Sequence, residues 1–262
     1  SVALIVDERM TAQHASVSPI WGSPLRLYDQ MAWNDLNAFN VRDGGGGNHR
    51  FLGGNFGPNF NDAALAAGHS WQALQQFANR MADNIFIAKN LKALEERGVD
   101  FLFQPGTHDY VAYDVPWGGE NYPRIPVYLE INSGHGKKEK SPSAENIEQN
   151  KAAFLIHHFF EGVEPMLDSP SVDYRRRNGK LLVEVRFPNG STAESGRIWW
   201  MFNRGPDGSQ AYIRDLFPDD LWQDMEYDGT RNVWTTEIGL KPGASHVDFF
   251  SNHLKTINYR NK

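Results

Sequence analysis

The sequence predicts an α/β domain with a parallel sheet over residues 1–168, followed by a small all-β sandwich domain over residues 169–262. Two observations predict the first domain: long stretches with a helical spacing of apolar residues, and short runs typical of buried strands between them. A third predicts the second domain, because beyond residue 168 short β-type runs are separated by turn pairs. Asn178-Gly179 and Asp228-Gly229 are two such pairs, in which glycine tolerates the positive φ of a hairpin turn.

Helices and strands alternate in the predicted first domain. The longer helix covers 70–97, where Ser70 is suited to cap the first turn and Gly98 to end the last one. A second helix covers 145–160, in which His157 and His158 are expected to be partly buried packing residues. A strand is predicted at 11–17, and buried strands are predicted at 101–103 and 126–131.

In the second domain, strands are predicted at 180–187, 197–203, 233–238 and 246–250. Along the second of these, alternation places Ile198 and Trp200 on one face and Trp199 and Met201 on the other. We expect one face to fill the core of the sandwich and the other to pack on the first domain. A surface for stacking sugars is the alternative role of the tryptophans at positions 199, 200, 222 and 234.

Composition argues against several classes of protein. The formal net charge is −6 and no basic stripe is present, which argues against nucleic acid as the main partner. No apolar run approaches the roughly 20 residues of a membrane-spanning helix. The absence of cysteine excludes disulfides, thiolate zinc sites and a thiol nucleophile. His157 and Glu161 share a helix face without an evident third ligand, so neither a metal nor a cofactor is predicted.

Two loops carry the residues that are best suited to chemistry. The stretch from residue 101 to 111 contains Asp109, and 26 positions further on His135 follows in Ser133-Gly-His-Gly136. Each lies after a predicted buried strand, and the carboxyl ends of parallel strands meet at one edge of a sheet. Asp109 would orient the imidazole, whose other nitrogen would take a proton from a nucleophile. His108 and Asp114 remain alternatives for the two roles.

These segments resemble the acid and histidine segments that close the catalytic domain of the α/β-hydrolase superfamily. The matching patterns are a strand followed by Gly-x-x-Asp-x-Val at 106–111, and a strand followed by Ser-Gly-His-Gly at 133–136. The opening is similar too, because residues 7–12 match the Asp-x-Arg-hydrophobic-x-Ala that ends the helix after the nucleophile in many members. The resemblance covers roughly 1–165 and implies the C-terminal portion of a hydrolase sheet. With an Ig-like sandwich after it, the chain looks most like the PhoPQ-activated pathogenicity-related and prolyl-oligopeptidase-like hydrolases.

The sequence departs from this superfamily in one respect, because the nucleophile motif Gly-x-Ser-x-Gly occurs nowhere in the 262 residues. The resemblance therefore implies that the serine lies upstream of Ser1. Ser70 is an alternative, but Gln72 stands where the second glycine belongs, and a helix cap explains Ser70 fully. Ser1 itself could act through its own amine, whereas Ser16 and Ser18 only flank the end of a predicted strand.

Residues 22–69 fit the alternation of helices and strands poorly and are predicted to form an insertion or lid. Between residues 43 and 57, glycine occupies 7 of 15 positions, but the Lys-Ser/Thr of a phosphate-binding loop is missing. With Trp21 at its edge, the stretch also carries the aromatic residues Tyr28, Trp33, Phe39, Phe51, Phe56 and Phe60. We expect part of it to line an apolar pocket near His135. The alternative is a surface loop that its aromatics attach to the sheet.

The resemblance implies a serine hydrolase of carboxylic esters or amides, of esterase or peptidase type, that works through an acyl-enzyme with Asp109 and His135. Its implied partners are a small-molecule or peptide substrate and the remaining N-terminal part of the hydrolase domain. The same resemblance favours a secreted or periplasmic protein. The missing motif supports a second hypothesis: a non-catalytic scaffold of hydrolase fold that holds a glycan or a protein with its β-sandwich.

Overall fold

The computed structural model describes residues 2–15, 21, 66–70, 73, 76, 80, 84, 86–107, 115–134, 144–203 and 217–259. Helices and strands are mixed, and the sheets are mostly antiparallel with one small parallel pair. The helices of the described ranges include α1 (Val2–Val6), α2 (Leu91–Glu96), α3 (Val115–Asn121) and α4 (Ala144–Phe159), and a 3-10 turn covers Ala88–Asn90. The strands are β1 (Ala12–Ala15), β2 (Asp100–Phe103), β3 (Ser171–Arg177), β4 (Lys180–Arg186), β5 (Ser195–Phe202), β6 (Trp222–Asp224), β7 (Glu226–Asp228), β8 (Val233–Gly239) and β9 (Val247–Leu254).

Strands β1 and β2 pair in parallel over four residues each. A third extended segment lies parallel to β2 on its other side, through bridges of Phe103 with Val127 and of Gly106 with Glu130. The strand predicted there is broken into two bridges because Pro105 has no N–H to donate to the ladder. Three parallel segments therefore lie side by side, with β2 in the middle.

Ser70 begins a helix, as predicted. Its Oγ accepts a hydrogen bond of 3.1 Å from the backbone N–H of Ala73, which is the contact of an N-cap side chain. The stretch after it is helical at each position that the structure describes before residue 86, namely Ala73, Gln76, Arg80 and Asn84.

The single helix predicted over 70–97 is wrong, because the chain leaves the helix at Phe86 and Ile87 and resumes with the 3-10 turn and α2. Phe86, Ile87 and Ala88 are all buried. Three consecutive residues of a straight α-helix point about 100° apart, so one face cannot bury all of them. The side chain of Asn90 donates to the carbonyl of Phe86 at 3.0 Å and satisfies a group at the break.

Gly98 ends α2 as predicted, in a Schellman motif. It has a φ of 67°, and its N–H donates to the carbonyl of Glu95 at 2.9 Å. The N–H of Val99 donates to the carbonyl of Leu94 at 3.0 Å, and both side chains are buried in the same core. The two bonds and the apolar contact are the full set of interactions of this motif.

Arg97 joins the end of α2 to α1. Its guanidinium donates to four backbone carbonyls at 2.9 to 3.4 Å, those of Leu4, Ile5, Asp7 and Met10. The last carbonyls of a helix have no partner within it, and the planar fork of arginine can satisfy several at once. None of the helices in the described part of the chain has the length and apolar character needed to cross a membrane.

The second part of the chain forms two antiparallel sheets, with strand orders β3-β4-β8-β7 and β6-β5-β9. Strands β4, β5, β8 and β9 correspond to the four predicted strands, whereas β3, β6 and β7 were not predicted. The two sheets share one core, which includes Val183, Val185, Ile198, Trp200, Trp234 and Ile238. The turn between β3 and β4 has φ values of 50° at Asn178 and 73° at Gly179, as a type I′ hairpin requires.

The two faces of β5 have the roles that the alternation predicts. Ile198 and Trp200 lie in the core between the sheets. Met201 instead lies in a second cluster with Ile131 and Phe217, against which Trp199 packs. Because Ile131 belongs to the first part of the chain, the outer face of β5 is an apolar contact between the two parts.

Polar contacts reinforce this junction. On β9, the side chain of Asn252 donates to the carbonyl of Leu129 at 2.8 Å and accepts from its N–H at 3.3 Å. Lys255 donates to the carbonyl of Pro165 at 2.5 Å. The outer face of the three-stranded sheet is therefore attached to the backbone of the third parallel segment.

Candidate functional site

The carboxyl ends of the parallel segments meet in one place. Strand β2 continues into residues 104–107, and the neighbouring segment continues into residues 131–134. The N–H of Thr107 donates to the carbonyl of Glu130 at 2.8 Å, and the N–H of Asn132 donates to Oγ1 of Thr107 at 2.7 Å. These bonds join the two connections directly after the strands.

Gly106 lets the two connections approach closely. A Cβ atom at this position would lie 2.2 Å from the carbonyl oxygen of Ser133 and 3.0 Å from its Cβ. No side chain fits in that space, so glycine is required here by the backbone of the neighbouring connection.

Buried polar side chains are concentrated at this edge. Four of them have relative exposures of 1 to 3%: Gln104, Thr107, Glu130 and Ser133. Elsewhere in the described ranges only Ser191 and Thr236 are polar and buried. Burying polar groups costs free energy unless they are hydrogen-bonded, so their concentration indicates an organised site. The carboxyl edge is also where open α/β sheets hold their ligands.

The first strand reaches the same edge. The N–H of Gln104 donates to the carbonyl of Ala15 at 2.7 Å, and Oε1 of Gln104 lies 3.3 Å from Nε2 of His14. Trp21 is fully buried and packs edge-to-face on Phe103, with ring centroids 5.9 Å apart. Trp21 is therefore a core residue beneath the edge.

The predicted catalytic pair, Asp109 and His135, lies outside the described residues. The same holds for His108, Asp114, Ser1, Ser16, Ser18 and residues 22–65, with the aromatic residues expected to line a pocket. Along the chain, Thr107 comes two positions before Asp109, and Gly134 directly precedes His135. The structure thus brings together the chain segments that lead to the two predicted residues.

Ser70, the alternative nucleophile, is an exposed residue whose Oγ accepts from Ala73. This is the cap that the sequence favours. The sequence analysis selected Asp109 and His135 as candidates for proton transfer but did not select Gln104, Thr107 and Asn132. The available signal was their position, because each lies between a buried strand and a predicted catalytic residue.

A second hydrogen-bonded cluster lies at the opposite, amino ends of the strands. Nδ1 of His158 is 2.6 Å from Oδ2 of Asp100, and its Nε2 is 3.0 Å from Oγ1 of Thr11. Thr11 directly precedes β1, and Asp100 is the first residue of β2. The expectation that His158 only packs is incomplete, because its ring attaches the end of α4 to the start of both strands.

The described residues offer no metal centre, since no three His, Cys, Asp or Glu side chains among them are arranged to bind an ion. No protein-family model, curated protein or solved structure matches the chain. The residue pattern and the geometry at the carboxyl edge are therefore the basis for assigning a function.

Proposed function

We propose that the protein is a serine hydrolase of carboxylic esters or amides, in which Asp109 and His135 supply the acid and the base. The serine nucleophile is proposed to lie upstream of residue 1, since Gly-x-Ser-x-Gly is missing from the sequence. On this proposal, residues 1–168 are the C-terminal part of an α/β-hydrolase domain and residues 169–262 an Ig-like sandwich. The three parallel segments support the first assignment, and two antiparallel sheets with one core support the second.

The proposal rests on the contact between two connections, the one that leads to Asp109 and the one that leads to His135. Asn132 donates to Thr107 at 2.7 Å, and the polar groups around this bond are buried. Asp109 follows Thr107 by two residues, and two residues of extended chain span about 7 Å. These short connections allow the carboxylate of Asp109 and the imidazole of His135 to reach each other.

The proposed chemistry assigns each group one task. The imidazole of His135 accepts the proton of the serine hydroxyl while the serine oxygen attacks the carbonyl carbon of the substrate. Asp109 accepts a hydrogen bond from the other ring nitrogen and stabilises the imidazolium. His135 then donates the proton to the leaving alcohol or amine as the bond to the carbonyl carbon breaks. Water, deprotonated by the same imidazole, cleaves the acyl-enzyme and restores the serine.

Ester hydrolysis by the full-length protein tests these roles. With a p-nitrophenyl ester as substrate, we expect His135→Ala and Asp109→Asn each to lower kcat by about 10⁴-fold or more. The matched controls are His157→Ala on α4 and Asp219→Asn at an exposed position, and both should keep the activity of the parent. A His135→Ala protein that is folded and turns over the ester at the parent rate would rule out the proposed base.

Labelling locates the nucleophile. A fluorophosphonate should modify one serine of the full-length protein, and peptide mass spectrometry should find it in a Gly-x-Ser-x-Gly segment outside these 262 residues. Modification of Ser70 instead would overturn the proposed position of the nucleophile.

A non-catalytic binding function has one observation in its favour. Trp222 on the edge strand β6 is 40% exposed, and the guanidinium of Arg197 lies 4.0 Å from the centre of its ring. The guanidinium covers one face of the indole, so a sugar would stack on the other face. Three results together would favour this function: the parent binds to an oligosaccharide array, Trp222→Ala does not bind, and the parent hydrolyses no ester.

A further inference from the structure

Asn132 links three parts of the molecule through its backbone and its side chain. Its N–H donates to Oγ1 of Thr107 at 2.7 Å. Its side-chain Oδ1 accepts from the N–H of Phe217 at 2.8 Å, and its Nδ2 donates to the carbonyl of Phe217 at 2.9 Å. One residue therefore contacts both the connection that leads to Asp109 and the second part of the chain.

The backbone conformation of Asn132 is unusual and is supported by these bonds. Its φ is 54°, in the left-handed region that asparagine tolerates better than most residues. On the side of β2, Thr107 is buried and its own N–H is bonded to Glu130. On the other side, Phe217 is buried in the cluster with Ile131 and Met201. Both partners of Asn132 are therefore fixed by packing.

We infer that Asn132 is a positioning residue that holds the connection leading to His135 against the connection leading to Asp109. This inference rests on the proposed function. The bond to Thr107 fixes the spacing of the two connections, and the paired bonds to Phe217 fix their orientation relative to the second part of the chain. Phe217 packs on the outer face of the three-stranded sheet and thus supports the connection to His135 at a point three residues before that histidine.

The test compares two glycine substitutions in the full-length protein. Asn132→Gly removes the side-chain bonds, while glycine retains the positive φ. We expect kcat for the p-nitrophenyl ester to fall by about 100-fold with little change in KM, because displacement of a catalytic group by about 1 Å has an effect of that size. Asn178→Gly is the control, since Asn178 also has a positive φ, of 50°, but lies in an exposed hairpin turn.

A second pair of variants tests the bond to Thr107. Thr107→Val keeps the shape of the side chain but removes the acceptor, whereas Thr107→Ser restores it. We expect a loss of kcat in the valine variant and recovery in the serine variant. In both Asn132→Gly and Thr107→Val, the loss should appear in kcat, while KM for the ester should stay close to the parent value.

The outcomes separate the two proposals. If His135→Ala abolishes activity while Asn132→Gly and Thr107→Val keep the parent kcat, the positioning role is wrong and the hydrolase remains. If His135→Ala is fully active, the proposed function fails and the positioning role fails with it. Should Asn132→Gly fail to fold, the Thr107 pair decides the question by the same measurements.

Discussion

His253 occupies an apolar site at the edge of the core between the antiparallel sheets. Its ring centroid lies 5.0 Å from that of Phe187 and 5.6 Å from that of Trp234. A Cβ on Gly196 would come within 2.5 Å of the ring, so glycine provides the space. Burial disfavours the imidazolium and lowers the pKa of His253 from its usual value of 6.5 to about 4.

This pKa makes the free energy of unfolding depend on pH. Between pH 6.5 and about 4 the unfolded state binds a proton that the folded state does not, so stability falls as the pH is lowered through this range. The slope approaches about 1.4 kcal/mol per pH unit, and the total loss is about 3 kcal/mol. Below about pH 4 this contribution is lost completely, and above pH 6.5 it is fully present.

Denaturant unfolding at several pH values measures the effect. In His253→Phe the part of the acid dependence of stability that is due to this residue should disappear. Equal acid slopes for the parent and His253→Phe would show that the imidazole does not titrate in this way.

At the scale of the element, α3 shows how a glycine can be required by packing rather than by a turn. A Cβ on Gly118 would lie 2.2 Å from the indole of Trp21, while a Cβ on the neighbouring Gly119 would meet nothing within 4 Å. The two residues are both helical, so the same substitution at each separates the contact from the helix propensity.

Gly118→Ala should therefore destabilise the protein by about 1 to 3 kcal/mol, as overpacking of a filled core does. Gly119→Ala should leave stability unchanged or raise it by up to about 1 kcal/mol, because alanine favours the helix. Thermal or denaturant unfolding of the two variants checks this. Two alanine variants with the same stability would contradict the contact between α3 and Trp21.

At the scale of the whole molecule, the junction between the two parts depends on amide side chains that bond to backbone groups. Asn252→Ala removes both bonds to Leu129 and should lower the free energy of unfolding by about 1 to 3 kcal/mol, because partly buried backbone groups lose their partners. Asn258→Ala, on the exposed segment after β9, should change it little. Denaturant midpoints at constant m-value measure both.

The shape of the transition provides a further criterion. If the junction couples the two parts, Asn252→Ala should shift one cooperative transition or split it into two. A variant with the parent midpoint and a single transition would show that the bonds to Leu129 contribute nothing to stability.

Local patterns in the sequence determined much of the fold. Ser70 and Gly98 mark helix ends because a cap and a left-handed residue act on groups only a few positions away. The turn at Asn178-Gly179 is equally local. Alternation along β5 predicted both of its faces correctly, since the direction of successive side chains in a strand is fixed by the backbone.

Other elements could not be predicted because they depend on contacts with neighbouring elements and not on their own apolar pattern. Strand β3 has seven exposed residues, its apolar alternation is limited to Val172 and Tyr174, and it pairs along its whole length with β4. The helix predicted over 70–97 breaks where three consecutive residues are buried by contacts with other elements.

For the candidate site too, part could be predicted from the sequence and part could not. The sequence by itself determined which residue types can perform acid–base chemistry and that Asp109 and His135 each follow a strand. Only the tertiary structure decided that Thr107 meets Asn132, that Asn132 binds Phe217, and that His158 binds Asp100. The reason is physical: a hydrogen bond between residues 25 to 85 positions apart depends on how whole elements pack, and no local pattern encodes that distance.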